Sequence, residues 1–217
     1  MAESNVDKIE YSFGNTASFD VDCQRGFTEF CPNELPVPDG ATITQALNDQ
    51  ALKARYRVGS KDCHPANAVW ITTDASKIAT PIPDNNNLNI DVYWPAHCTV
   101  GTEGNELLPR LPKPIDYDFF VYKGIEKDLH PYGACYHDIQ EKQSTGVIEW
   151  LKMKMVKTVL VGGLATDYCV KTTAIQLRKA GFDVIVNLKA CRGINHETIL
   201  IAVAGMEALG IQVVEEL

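Results

Sequence analysis

Short apolar runs recur along the chain, set apart by longer mixed segments. The runs at 17–23 (ASFDVDC), 56–61, 119–122 (FFVY), 158–162 (TVLVG), 183–188 (DVIVNL) and 211–214 (IQVV) predict six strands. Continuous apolar runs of this length suit strands covered on both faces, as in a parallel sheet. Between them lie segments with helical spacing of apolar positions. Residues 41–56 carry Ile43, Ala46, Leu47, Ala51 and Leu52, and residues 146–155 carry Val147, Ile148, Leu151 and Met155. Two further helices are predicted over 168–180 and 198–209, each followed by a glycine, Gly181 and Gly210, where a helix C-terminus is expected. The second half thus alternates helix and strand, which argues for an α/β fold with a mostly parallel sheet.

Residues 65–114 break this rhythm. They hold Pro65, Pro81, Pro83, Pro95, Pro109, Pro112 and Pro114, and the run Asn85, Asn86, Asn87. A loop this long inside a folded unit is usually functional. It reads as an excursion over the sheet edge, with the whole chain, 1–217, as a single domain.

Composition narrows the partners. Of 217 residues, 45% are hydrophobic and 22% charged, which excludes a disordered chain. The net charge of -8 and the lack of a basic stripe argue against nucleic acid as a partner. No stretch approaches the ~20 apolar residues of a membrane span. The first eleven residues carry Glu3, Asp7 and Glu10 and do not read as a secretory signal. Seven cysteines, an odd number scattered along the chain, read as reduced thiols in the cytoplasm rather than as a disulfide framework.

The chemistry gathers at predicted strand ends, where open parallel sheets bind ligands. Asp22 ends the first strand, Asp62 and His64 follow the second, and Lys123 closes the third. Cys169 lies past the fourth, after Gly162 and Gly163, which are expected to turn the chain sharply, with Thr166 or Asp167 capping the next helix. A cysteine in a first helical turn has its thiolate favoured, so Cys169 is the expected nucleophile and the most reactive thiol. A small buried core residue is the competing reading. An aspartate near a thiol can take its proton and return it to a leaving amine, and a lysine beside them supports negative charge. Asp62 and His64, two apart on an extended segment, point to one side. With His97 they are expected to complete a two-His, one-carboxylate set suited to zinc, iron or manganese, separate polar loop residues being the competing reading. His130, His137 and His196 have no comparable neighbours and read as surface or structural residues.

These residues fall into motifs. Val21-Asp22-Cys23-Gln24 is followed by Phe27. Ser60-Lys61-Asp62-Cys63-His64-Pro65 and Trp94-Pro95-Ala96-His97-Cys98 with Gly101-Thr102 come next. Lys123-Gly124, Gly163-Leu164-Ala165-Thr166-Asp167-Tyr168-Cys169-Val170 and Ala190-Cys191-Arg192-Gly193 complete the order. In this the chain resembles the nicotinamidases (pyrazinamidases) of the isochorismatase-like hydrolase superfamily.

The resemblance implies a three-layer α/β/α fold with a six-stranded, mainly parallel sheet. It implies a catalytic triad of Asp22, Lys123 and Cys169, which deamidates nicotinamide to nicotinate and ammonia through a thioester, in NAD salvage. It places the oxyanion hole at the N–H groups of Ala165 and Cys169, with a cis peptide between Leu164 and Ala165. It makes Asp62, His64 and His97 ligands of one divalent metal ion, zinc foremost, which holds the pyridine nitrogen. Phe27 and Trp94 become the walls around the ring, and a homo-oligomer is implied. Residues 65–70 offer no further histidine of the kind many members carry. Tyr132-Gly133-Ala134-Cys135 stands where the family often has Tyr-Ser-Ala-Phe, and Arg25-Gly26 replaces Asn-Asp before Phe27. Competing readings are a sibling cysteine amidohydrolase acting on another small amide or carbamoyl compound, a non-haem iron oxygenase, and a non-catalytic binding module.

Overall fold

The computed structural model describes residues 9–83 and 89–217, so the run Asn85 to Asn87 and the first eight residues lie outside the description. Six strands form one sheet: β1 (Thr16–Val21), β2 (Tyr56–Asp62), β3 (Phe119–Lys123), β4 (Thr158–Leu164), β5 (Asp183–Arg192) and β6 (Gln212–Val214). Their order is β3-β2-β1-β4-β5-β6, and every pairing is parallel. All six predicted strands are present. Parallel strands need covering on both faces, and every residue of β1 and of β4 is buried.

The cover is built by four helices: α1 (Thr44–Ala51), α2 (Val147–Met153), α3 (Lys171–Lys179) and α4 (His196–Ala208). On one face Val147, Ile148 and Leu151 of α2, Ala174 and Leu177 of α3 and Met206 of α4 pack on Ala17, Phe19, Val21, Val159 and Val161. On the other, Leu47 of α1 joins Ile43, Leu164 and Ala190. The result is the expected three-layer α/β/α arrangement. Each fully buried Leu, Ile, Val or Phe in it contributes roughly 1.5–3 kcal/mol relative to exposure. Among the described residues no helix is long and apolar enough to cross a membrane.

Three local expectations need correction. The helix predicted over 41–56 is shorter: a 3-10 turn (Gly40–Ile43) leads into α1, which stops at Ala51 because β2 must begin at Tyr56. Gly162 and Gly163 do not turn the chain out of β4 but lie within it. Gly163 has φ 139°, and a Cβ there would sit 2.0 Å from the Val21 carbonyl oxygen, so β1 and β4 approach through it at a shift in the β4–β5 register. Neither Thr166 nor Asp167 caps a helix. The chain leaves β4 through a cis Leu164–Ala165 peptide into one π-helical turn, Thr166–Val170, which runs on into α3. Asp167 instead accepts from Ile194 N, Asn195 N and Thr198 Oγ (3.1, 3.3 and 2.5 Å), tying this turn to the start of α4.

The proline-rich excursion folds on itself. Ile71 and Ile78 pair with Trp94 and Tyr93, and Trp70, Ile90 and Trp94 form a small apolar cluster with Ala68.

Candidate active site

The strand order changes direction between β1 and β4, so loops leaving their carboxyl ends diverge and open a crevice there. Asp22 follows β1 and Cys169 follows β4. Asp62 and Lys123 close β2 and β3 as direct cross-strand partners. The register, rather than the sequence distance, thus brings these four side chains together.

Lys123 is fully buried and stands at the centre. Its Nζ lies 3.0 Å from Asp22 Oδ2, against Asp62 Oδ1, 3.2 Å from the Pro131 carbonyl and 3.9 Å from Cys169 Sγ. Asp22 has a left-handed backbone, φ 47°, and Ser60 holds it from both sides. The hydroxyl donates to Asp22 Oδ1 at 2.7 Å and accepts from Asp22 N at 3.2 Å. The expected Asp22, Lys123 and Cys169 set therefore converges.

Its electrostatics suit proton transfer. Burial raises Asp22 to about 6, against the lowering effect of Lys123 and with a further rise from Asp62. Burial also works to raise Asp62, but Lys123 and then His64 overcome it and hold that carboxylate well below the usual range. For Lys123 burial favours the neutral amine, and Asp22, Asp62 and Cys169 outweigh it, so the ammonium persists. Asp62 is the standing counter-ion, and Asp22 is the group that gains or loses a proton near neutrality.

Cys169 corrects an expectation. Burial pushes its thiol well above the ordinary value, Lys123 opposes this, and Asp22 and Asp62 add to it. The resting sulfur is a thiol, so a base must take its proton as it reacts. It is not the most accessible sulfur either: all seven cysteines are free, and Cys31 alone is partly exposed while the other six are buried.

A second cluster adjoins the first. His64 is fixed by its Nδ1 at 3.1 Å from the Gly124 carbonyl oxygen, and His97 by its Nδ1 at 2.8 Å from Pro95 O. Gly124 (φ 71°) is required here, since a Cβ would fall 2.5 Å from the His64 ring. If Nδ1 donates in each ring, Nε2 is left as an acceptor. His64 Nε2 is buried without a hydrogen-bond partner and lies 3.5 Å from Asp62 Oδ2. Burial, and then His64, lowers His97 to about 3.

The sequence reading missed His130. It is not a surface residue but is buried, with Nδ1 unpartnered, and its ring stacks on His64 at 5.3 Å. The ligand atoms of His64, His97 and His130 lie within 4.8 Å of one another. A buried lone pair with no donor in reach is what a cation would satisfy, so these residues fit a borderline divalent metal ion.

Phe27, Leu35, Trp94, Tyr132, Tyr168, Ala165 and Ile194 wall a pocket whose remaining lining includes Asp62, His97, His130, Pro131 and Cys169. The lining is mainly apolar with a few polar groups, as ligand pockets are. Phe27 and Trp94 line it as expected. Trp94 Nε1 donates to Tyr132 Oη at 3.1 Å, and that hydroxyl donates to Asp91 at 2.8 Å. Tyr132, Tyr168, Leu35 and Ile194 carry no signal in the sequence beyond being apolar or aromatic.

Comparison with known proteins follows the same lines. The isochorismatase domain model matches residues 16–216. The nicotinamidase of Acinetobacter baylyi is 32% identical over 183 residues, covering 83% of each chain. The pyrazinamidase of Pyrococcus horikoshii in complex with zinc superposes with a TM-score of 0.72 at 28% identity, over 92% of this chain and 98% of that one. The yeast nicotinamidase bound to the inhibitor nicotinaldehyde superposes with a TM-score of 0.78 at 25% identity, over 93% of this chain and 100% of its own.

Proposed function

This chain belongs to the isochorismatase domain family, and from that premise we propose that it is a nicotinamidase, hydrolysing nicotinamide to nicotinate and ammonia. The observation that carries this reading is the convergence of Lys123 and Asp22 on Cys169, whose side chain lines a pocket together with His97 and His130. The named relatives act on this amide or bind its aldehyde analogue.

The substrate lies with its ring between Phe27 and Trp94, its carboxamide at Cys169 and its pyridine nitrogen toward Asp62, His64 and His97. Asp22, ionised above about pH 6, takes the Cys169 proton as the sulfur attacks the carboxamide carbon. The N–H groups of Ala165 and Cys169 donate to the oxygen as it becomes negative. The C–N bond then breaks, Asp22 returns the proton to the departing nitrogen, and ammonia leaves behind a thioester. Water, deprotonated by Asp22, attacks the thioester, and nicotinate departs as the proton passes back to the thiol. Lys123 keeps Asp22 anionic between transfers and remains charged throughout. Asp62, His64 and His97 would hold a divalent ion, zinc by the Pyrococcus horikoshii precedent, which supplies a Lewis-acidic anchor for the ring nitrogen.

The whole chain acts as one domain in the cytoplasm, in NAD salvage, with neither nucleic acid nor membrane as a partner. It forms a homo-oligomer. The exposed Leu200, Ile201 and Leu209 in and beside α4 support self-association, and light scattering of the purified protein tests it.

Ammonia release from nicotinamide by the zinc-loaded protein is the decisive assay. The wild type is expected to turn over, and Cys169→Ala to lose at least ~10⁴-fold in kcat. No release by the wild type, with hydrolysis of a ureido or carbamoyl substrate instead, would assign it to a sibling amidohydrolase.

A further inference from the structure

We propose that His130 is a ligand of the metal, so that the protein supplies three imidazoles and one carboxylate. The inference rests on the metal reading above and extends it to a residue from a different segment, the loop between β3 and α2.

Three observations carry it. First, His130 Nδ1 is a buried polar atom with no hydrogen-bond partner, and so is His64 Nε2. A neutral imidazole left this way loses its solvation without return, and two such atoms in one cluster point to a shared electrophile. Second, the spacing fits. Two nitrogens at ~2.1 Å from one tetrahedral zinc are ~3.4 Å apart, and the three histidine ligand atoms span no more than 4.8 Å. Drawing the widest pair together by at most ~1.4 Å closes the set around one ion, and Asp62 Oδ2 is already 3.5 Å from His64 Nε2. Third, His130 is held from outside the cluster. Its backbone N–H donates to Asn89 O at 2.8 Å, Trp70 Nε1 donates to Leu129 O at 3.1 Å, and the Trp70 ring packs on His130 at 4.3 Å. The excursion therefore presents the ring to the cluster.

The added imidazole changes what the site selects. Nitrogen donors favour zinc, iron and their neighbours, whereas carboxylate-rich sites suit manganese and magnesium. His130 therefore tips a site that Asp62, His64 and His97 alone leave open toward zinc over manganese.

The test uses the full chain stripped by chelator, with zinc and manganese titrated separately against a chromophoric chelator. Wild type, His130→Ala and His130→Gln are compared, and cobalt-loaded samples are read by visible absorption. Both variants are expected to bind zinc at least ~10-fold more weakly, to lose zinc preference over manganese by a similar factor, and to shift the cobalt bands. Wild-type zinc affinity and an unchanged cobalt spectrum in both variants would overturn the proposal. So would an equal loss for zinc and manganese, which marks general loosening, or a wild type that binds no zinc. Matched melting of the metal-free proteins separates a lost ligand from a lost fold, with the glutamine variant retaining polar bulk. A wild type that holds zinc through His130 yet leaves nicotinamide intact would sink the substrate reading alone.

Discussion

Two buried clusters beside the pocket meet the cost of burial in opposite ways. In the charged half, the Lys123 ammonium is shared between Asp22 and Asp62, and Ser60 occupies a further oxygen of Asp22. In the imidazole half, His97 and His130 are kept neutral by burial, and the open nitrogens of His64 and His130 have no protein partner. The first half is ion-paired as folded, which suits it to hold or move a proton. The second is complete only with a cation. Burial of polar groups thus serves preorganisation in one case and creates a binding demand in the other.

The contrast predicts different failures. Lys123→Met removes the ammonium that faces two buried carboxylates. It is expected to cost about 3–5 kcal/mol, since breaking a buried pair leaves uncompensated charge, and to abolish nicotinamide hydrolysis. Urea unfolding of the metal-free protein checks the first, and near wild-type stability would show that the two buried carboxylates do not depend on the ammonium. A smaller effect is expected in the other half. Asn105 Nδ2 donates to Asp62 O at 2.7 Å and to Cys98 O at 2.9 Å, tying the two ligand-bearing segments together. Asn105→Ala should weaken zinc binding by about 10- to 100-fold and leave the pH profile of hydrolysis in place. A displaced profile with intact zinc affinity would reverse that assignment.

The pH response is the mildest probe and belongs to the charged half alone. With Asp22 at about 6, it is ionised above that pH and protonated below it. kcat/KM should then fall about tenfold per unit as pH drops below 6, measured by ammonia release in overlapping buffers. Stability carries opposite signs for the two carboxylates. A raised Asp22 binds its proton more tightly when folded, so its contribution grows as pH falls from 6 toward 4. A lowered Asp62 contributes above its unfolded value and loses that contribution in acid. A flat activity profile through pH 6 would remove Asp22 as the base.

Much of this was legible in the residues because it is local. Apolar runs ending in Asp22, Asp62 and Lys123 mark strands and their chemical ends together, and parallel pairing then gathers them. The Asp62-Cys63-His64 spacing sets two side chains on one side without help from the rest of the chain. His130 was illegible for the converse reason. It lies in an aperiodic loop, and its neighbours His64, Trp70 and His97 come from the segment just after β2 and from the excursion. The thiol chemistry of Cys169 was misread because a first-turn position favours a thiolate only where water or donors offset desolvation, and here burial dominates. The glycine pair was misread because Gly163 serves a neighbouring strand, a demand invisible along the chain.

Asp62 belongs to both halves, with Oδ1 against Lys123 and Oδ2 toward His64. For anyone transplanting this chemistry, that carboxylate sets the smallest portable unit. A nucleophile, base and lysine copied alone would arrive without the lysine's second carboxylate, and a metal cage copied alone would arrive without the ammonium that keeps Asp62 ionised before any cation binds. The paired ends of β2 and β3 must travel as one piece, with their register, before either half can be redesigned.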